Sequence, residues 1–272
     1  MTVGFALAGG ASLGAVQAGM LEVLTEAGIQ PDIVVGTSVG ALNGAWLATH
    51  PGPEGVRMLR DVWLSVRRRD VFPFSPISFV RALAGRSNHL VSNAALARWL
   101  SVRAPIFRLE QAAIPLHVVT TELGNGRPVV LSTGDAIDAL LASSAIPGVF
   151  PPVEIDGRLL VDGGLSANSP VTQTVDLGAD EVYLLPTVGD EEVRPPRGAG
   201  GVFLLAAAHL VGNASLTEIR ANASRCRLWV VPPPRSIGVS PFDFRYSLRL
   251  MDLARESTAA WLSSRQPVPA GL

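Results

Sequence analysis

The sequence predicts an α/β protein, a three-layer α/β/α sandwich with a mostly parallel central sheet, on three observations. A βαβα alternation opens the chain, and three short apolar strands each run straight into a glycine-rich turn. The third is composition: 272 residues that are 48% hydrophobic and 17% charged, with mean hydropathy +0.33, are too apolar for a disordered chain and sufficient for a large core. No internal repeat or separating linker is visible, so one domain over residues 1–272 is expected.

The elements follow in order. Val3 to Ala8 is an apolar run ending in Gly9-Gly10, after which Leu13, Val16, Met20 and Leu24 recur at helical spacing in a helix from Ser12 to about Ala27, stopped by Gly28. Ile33 to Val35 is a second buried run, turned at Gly36 into a helix from Val39 to about Ala48. From Glu54 to Leu109 the pattern is helical and more charged, with helices expected near Gly55–Arg68, Pro76–Ala84 and Asn93–Val102. Residues from about 51 to 110 therefore read as a helical insertion or cap. Strands resume at Leu116–Thr121 and Pro128–Leu131, and Asp135 caps a helix running to Ser144. Pro147, Pro151 and Pro152 break the chain before a short strand, Leu159–Val161, which ends in Asp162-Gly163-Gly164. A helix at Val171–Asp176 and a strand at Glu181–Leu185 come next. Residues 186–201, rich in glycine and charge around Pro195-Pro196, read as a mobile surface loop. Leu228–Val231 is the last strand and Phe244–Trp261 the final helix.

Composition excludes several function classes. A formal net charge of −1 provides no field for nucleic acid. The chain has no lysine, which removes Schiff-base chemistry and any Ser-Lys dyad. The lone Cys226 cannot form an internal disulfide, so a reducing, cytoplasmic setting is the default expectation. No His/Cys/Asp cluster suits a metal, and neither metal nor cofactor is expected. The apolar N-terminus lacks the basic n-region of a signal peptide. The run Gly201–Gly212 is shorter than the ~18 to 20 residues of a membrane span, so a soluble chain is expected.

The chemistry lies in the three glycine turns, FALAGG, IVVGTSVG and LLVDGG, which in an open parallel sheet share the carboxyl edge where ligands bind. Gly36-Thr37-Ser38-Val39-Gly40 fits GxSxG between a strand and a helix, a context that presents a serine on a tight turn at a helix N-terminus. Alone the pattern is weak, since a glycine turn with Ser38 as helix cap also fits it. The small residues Gly9, Gly10 and Ala11 can turn their amides toward a tetrahedral intermediate as an oxyanion hole. A phosphate loop competes, but GGASLGA lacks the Lys-Ser/Thr of a Walker loop and Ala11 spoils GxGxxG.

Serine nucleophiles usually rely on histidine, and four are present. His50 is at the far end of the helix from Val39, roughly 15 Å away along the axis. His89 sits in a polar connection, where exposure is expected, and His117 sits in a strand with a structural role. His209 follows Ser and Asp in chain order but is surrounded by AAAHLVG, so a packed helical histidine is expected. Asp162 instead ends a strand at a double-glycine turn, Gly163-Gly164, where a partly desolvated carboxylate can accept the Ser38 proton. An ordinary Asp-Gly turn is the competing reading, and only the company of the other two loops lowers it.

These residues resemble the patatin-like phospholipase family of lipid acyl hydrolases over most of the chain. LAGGASLGAVQAGML is similar to the family's oxyanion segment, VGTSVGALNGA to its nucleophile elbow, and ASSAIPGVFPPVEIDGRLLVDGGLSANSP to its aspartate region. The resemblance implies Ser38 as nucleophile, Asp162 as proton acceptor, Gly9, Gly10 and Ala11 as the oxyanion loop, and an acyl ester or lipid substrate. Two departures stand out: the family's loop usually has a third glycine where this chain has Ala11, and a basic residue where it has Leu13. Alanine still supplies an amide where its φ is ordinary. These departures motivate an alternative, a catalytically impaired lipid-binding or regulatory protein with the same fold, and a nucleotide-binding α/β protein stands third.

Peripheral membrane contact has a candidate in Arg67-Arg68-Arg69 among Trp63, Leu64, Val71, Phe72 and Phe74. The favoured reading is a helix end whose arginines suit the dipole, followed by a turn packed on the core and forming part of the cap over an acyl pocket. No pattern points to a particular oligomeric state.

Overall fold

The computed structural model describes residues 1–73, 84–103, 106–188, 198–235 and 238–269. Its sheet comprises β1 (Val3–Leu7), β2 (Ile33–Thr37), β3 (Leu116–Glu122), β4 (Pro128–Leu131), β5 (Val153–Ile155), β6 (Arg158–Asp162), β7 (Glu181–Leu185) and β8 (Arg227–Val230). The helices are α1 (Ala15–Glu26), α2 (Val39–Thr49), α3 (Gly52–Ser65), α4 (Arg68–Val71), α5 (Ala94–Arg103), α6 (Ala136–Ser143), α7 (Gly164–Ala167), α8 (Val171–Asp176), α9 (Ala199–Asn222) and α10 (Ser247–Leu262). Hydrogen-bonded neighbours run β5-β6-β3-β2-β1-β7-β8, with β4 also paired to β3.

Strands β3, β2, β1, β7 and β8 are parallel, and both of their faces are covered. The alternation of side chains along each strand splits the core in two. Phe5 and Leu7 of β1, with Tyr183 and Leu185 of β7, join the larger cluster under α1, α2, α3 and α10. Ala6, Val182 and Leu184 point the other way, against Val171 of α8. The α/β/α sandwich expected from the sequence is thus present, with the larger core on the α1–α10 side.

The sheet turns antiparallel where it matters for the site. Residues 118–121 of β3 pair with β4, while 116–119 pair with β2 and 120–122 with β6. Both β2 and β6 overlap β4 in register, so both lie on the opposite edge of β3, one beyond the other. Thr37 is opposite Val119 and Asp162 is opposite Thr120, so β2 and β6 meet head-on along one edge. The expectation that parallel strands bring all three glycine turns to a common carboxyl edge is corrected for Asp162. Its strand is antiparallel, and it reaches the turn after β2 because the two strands point at each other.

Local differences have local causes. The helix expected from Ser12 begins with a tighter 3-10 turn, Ala11–Gly14, before α1. The helix expected to reach Arg68 breaks at Val66, whose backbone is extended (ψ 139°), and restarts as α4 with the Arg67 amide donating to Asp70. The apolar run from Gly201 belongs to the 24-residue α9, in which His209 is exposed rather than packed, because that face of the helix has no neighbour among the described residues. The helix expected at Pro76–Ala84 lies outside the described residues except for Ala84, as do Phe74 and positions 189–197 of the expected loop. No helix among the described residues is long and apolar enough to cross a membrane.

Candidate active site

Ser38 is the single residue between β2 and α2, and its backbone is left-handed (φ 54°, ψ −124°), a conformation that costs a non-glycine residue of order 1–3 kcal/mol. Side-chain and backbone bonds hold it there. The Ser38 amide donates to Ser143 Oγ at 2.8 Å, and Ser143 Oγ donates to the Val119 carbonyl at 2.6 Å, so α6 and β3 fix the turn together. Gly36 and Gly40 flank it. A Cβ at Gly40 would run into the carbonyls of Leu7 and Ala8, so only glycine lets α2 start this close to β1.

Asp162 is buried, and its Oδ2 accepts the Ser38 hydroxyl at 2.7 Å while Oδ1 accepts the Gly164 amide at 2.7 Å. Burial raises its carboxyl pKa to about 6, and the two hydrogen bonds work in the opposite direction. The Asp162 amide donates to Ala145 and its carbonyl accepts from Thr121 Oγ1. A Cβ on Gly163 would strike the Val119 carbonyl, so the chain can pass this close to β3 only with glycine here.

The loop after β1 is pinned at both ends. The Gly9 amide donates to the Asn168 carbonyl at 3.1 Å and its own carbonyl accepts Thr187 Oγ1 at 2.6 Å, so Gly9 has no amide to offer a ligand. Ser12 donates its amide to Pro241, and Leu13 donates to Gly10. Among the described residues the Gly10 and Ala11 amides have no acceptor. Ala11 has φ 50°, which is not the ordinary backbone region expected for an alanine there. Beneath the loop, Gln17 of α1 donates to the Ala8 and Leu185 carbonyls and accepts from Asn43, which in turn accepts the Trp63 indole N–H.

Ser38 and Ala11 open onto an apolar cavity of about 100 Å³ walled by Val39, Leu42, Trp63 and Phe72, and by Leu96 and Leu100 of α5. Phe72 is buried and stacks on Phe150 with ring centroids 5.3 Å apart, as the core-packed reading of that segment expects. Ser144 also lines the cavity, and its buried Oγ has no hydrogen-bond partner among the described residues. Sequence reasoning missed Ser143, Ser144 and the Gln17–Asn43 pair. Both serines lie within the ASSAIPGVF segment but were read only as a helix end.

Among the described residues no histidine hydrogen-bonds Ser38 or Asp162. His50 stacks on Trp46, His117 bonds Ser132 Oγ at 2.7 Å, and the half-buried His89 bonds Ser87 and Asn88. No cluster of potential metal ligands occurs among the described residues.

Comparison with known proteins agrees with this architecture. The chain is 30% identical over 200 residues to the lysophospholipase nte1 of Aspergillus terreus, covering 73% of this chain and 13% of that protein. It is 27% identical over 195 residues to the patatin-like phospholipase domain-containing protein 7 of Rattus norvegicus, covering 70% and 14%. An uncharacterised NTE family protein of Mycobacterium tuberculosis is 29% identical over 197 residues, covering 72% and 52%. The chain thus spans about half or less of the length of these relatives. The crystal structure of VipD from Legionella pneumophila shares the fold at TM-score 0.54 and 15% identity, over 98% of this chain and 68% of VipD. Residues 5–175, which contain all three glycine turns and both Ser38 and Asp162, match the patatin-like phospholipase family, and the chain belongs to it.

Proposed function

We propose that the protein is a serine hydrolase of lipid acyl esters that works through a Ser38–Asp162 dyad. The observation that carries this reading is a serine hydroxyl on a left-handed turn, 2.7 Å from a buried carboxylate, on the wall of an apolar cavity. The lysophospholipase named among the relatives supports the substrate class.

In the first half-reaction Ser38 Oγ bonds to the ester carbonyl carbon while its proton passes to Asp162. The carbonyl oxygen becomes an oxyanion that the Gly10 and Ala11 amides receive. Collapse breaks the ester C–O bond, Asp162 returns the proton to the leaving oxygen, and the acyl group stays on Ser38. Water then adds to the acyl carbon, losing its proton to Asp162, and collapse releases the acid and restores the Ser38 hydroxyl. A carboxyl with a pKa of about 6 is ionised at neutral pH yet close enough to hold a proton transiently.

The left-handed Ala11 gives some weight to the impaired-enzyme alternative. Against it, the loop is pinned through Gly9 and Ser12, so Ala11's amide is held in place whatever its φ costs. Fluorophosphonate labelling with mass-spectrometric mapping decides: one adduct at Ser38, absent in Ser38→Ala, is expected. An adduct on another serine overturns the assignment.

A further inference from the structure

A second, open cavity of about 760 Å³ adjoins the acyl cavity and is lined by Arg67, Arg68, Ser240, Phe242, Asp243, Phe244 and Arg245. Phe244 lines both cavities, so the two are neighbours at this residue. The same 240–245 segment is bonded to the oxyanion loop: Ser12 donates its amide to Pro241 at 2.9 Å and its hydroxyl to Ser240 at 3.3 Å. The second cavity therefore lies beside the loop and the acyl wall.

Three guanidiniums line this cavity against one carboxylate. Asp243 is already taken: Arg245 grips it through Nε and Nη2 at 2.7 to 3.2 Å, which drops its pKa to about 2. Among the described residues the Arg67 side chain donates to the Leu64 carbonyl alone, and Asp70 accepts the Arg67 backbone amide. Arg68 has no acidic partner among the described residues. Arg67 and Arg68 thus both line the cavity without an ion-pair partner among the described residues, a lining suited to an oxyanion that accepts several N–H bonds at once. The oxyanion loop itself, Gly9 to Gly14, carries no charged side chain.

The geometry points to an anion subsite at Arg67 and Arg68 that receives the phosphoryl group of a single ester molecule whose acyl chain occupies the neighbouring cavity. This rests on the hydrolase reading for the acyl half and adds the head-group half. The ester carbonyl sits at Ser38, and the polar end passes Phe244 to reach the arginines. Inorganic phosphate and a phosphoryl head group share this chemistry, and the attached chain in the first cavity distinguishes them.

The test needs no turnover. Isothermal titration of the wild-type chain is done with a 1-O-alkyl lysophosphatidate, an ether that cannot be hydrolysed, and with the 1-O-alkylglycerol of the same chain, both as monomers. The phosphorylated ether is expected to bind at least tenfold more tightly, and that advantage to vanish in Arg67→Gln/Arg68→Gln. Inorganic phosphate is expected to compete with it at millimolar concentration. Equal affinity for the two ethers, or an advantage that survives the double substitution, overturns the subsite. Loss in the double variant only of binding to phosphatidylglycerol vesicles, with the monomers unaffected, also overturns it in favour of a membrane-surface patch. Failure of the hydrolase reading looks different: the ethers bind as described, yet the corresponding acyl esters are not cleaved.

Discussion

Two turns beside the cavity each place a residue with a side chain in the left-handed region, and they are held in different ways. At Ser38, in the turn between β2 and α2, the hydroxyl bonds Asp162 and the amide bonds Ser143. At Ala11, in the turn after β1, the side chain is a methyl group, and among the described residues the loop is pinned to other elements through Gly9 and Ser12. The third such residue, Asp156, sits with Gly157 at the tip of the β5–β6 hairpin, where positive φ at both positions suits the strand twist. Strain at Ser38 thus accompanies a hydroxyl bonded to a buried carboxylate. At Ala11 the side chain makes no hydrogen bond, and its methyl group only borders the cavity.

The largest effect that can test this contrast is at the elbow. Replacing Asp162→Asn keeps the shape but removes the proposed proton acceptor, and kcat/KM is expected to fall by about 10³-fold, within the range for loss of a general base. Stability should move the other way. The folded carboxyl has a pKa of about 6 against an ordinary 3.8, so its protonated form favours folding below the ordinary value, and that contribution is lost as pH rises through 6. At pH 8 the buried charge costs up to ~3 kcal/mol. Asp162→Asn should therefore raise Tm at pH 8, with the gain fading toward pH 4. A variant that is less stable at pH 8 would show that the Ser38–Asp162 bond outweighs desolvation and itself holds the turn.

The same carboxyl sets a smaller, graded effect. The wild-type kcat/KM for a neutral ester should decline about tenfold per pH unit below an apparent pKa near 6, because only ionised Asp162 accepts the proton. An acid limb near 4 instead would mean that Asp162 is better hydrated than its burial implies.

The elbow was readable in the sequence because GxSxG between a strand run and a helix pattern names one serine. Asp162 was readable only as a carboxylate at a double-glycine turn, and the route by which it reaches Ser38 was not. Periodicity identifies a strand but not its direction, and β6 runs against β3. Ser143 and the Gln17–Asn43 pair were invisible for a similar reason. Each serves by a hydrogen bond to a backbone group or side chain distant in sequence, and such residues have no local pattern. His209 misled because an apolar sequence neighbourhood was equated with burial, whereas the face of α9 that carries it is exposed.

The smallest effect tests the other turn. A left-handed backbone costs an alanine about 1–2 kcal/mol, and a glycine avoids that cost while losing about 0.4–1 kcal/mol through a freer unfolded chain. Ala11→Gly should therefore stabilise the protein by up to ~1 kcal/mol, a Tm rise of about 2–4 °C. Activity should stay within about threefold, because Ser12 bonded to Pro241 and Gly9 bonded to Asn168 and Thr187 keep the loop in place without help from residue 11. A tenfold loss of kcat with unchanged Tm would mean that the methyl group, which borders the acyl cavity, positions the chain or the loop after all. Ala11 would then resemble Ser38, a strained residue kept for its side chain, and the contrast between the two turns would disappear.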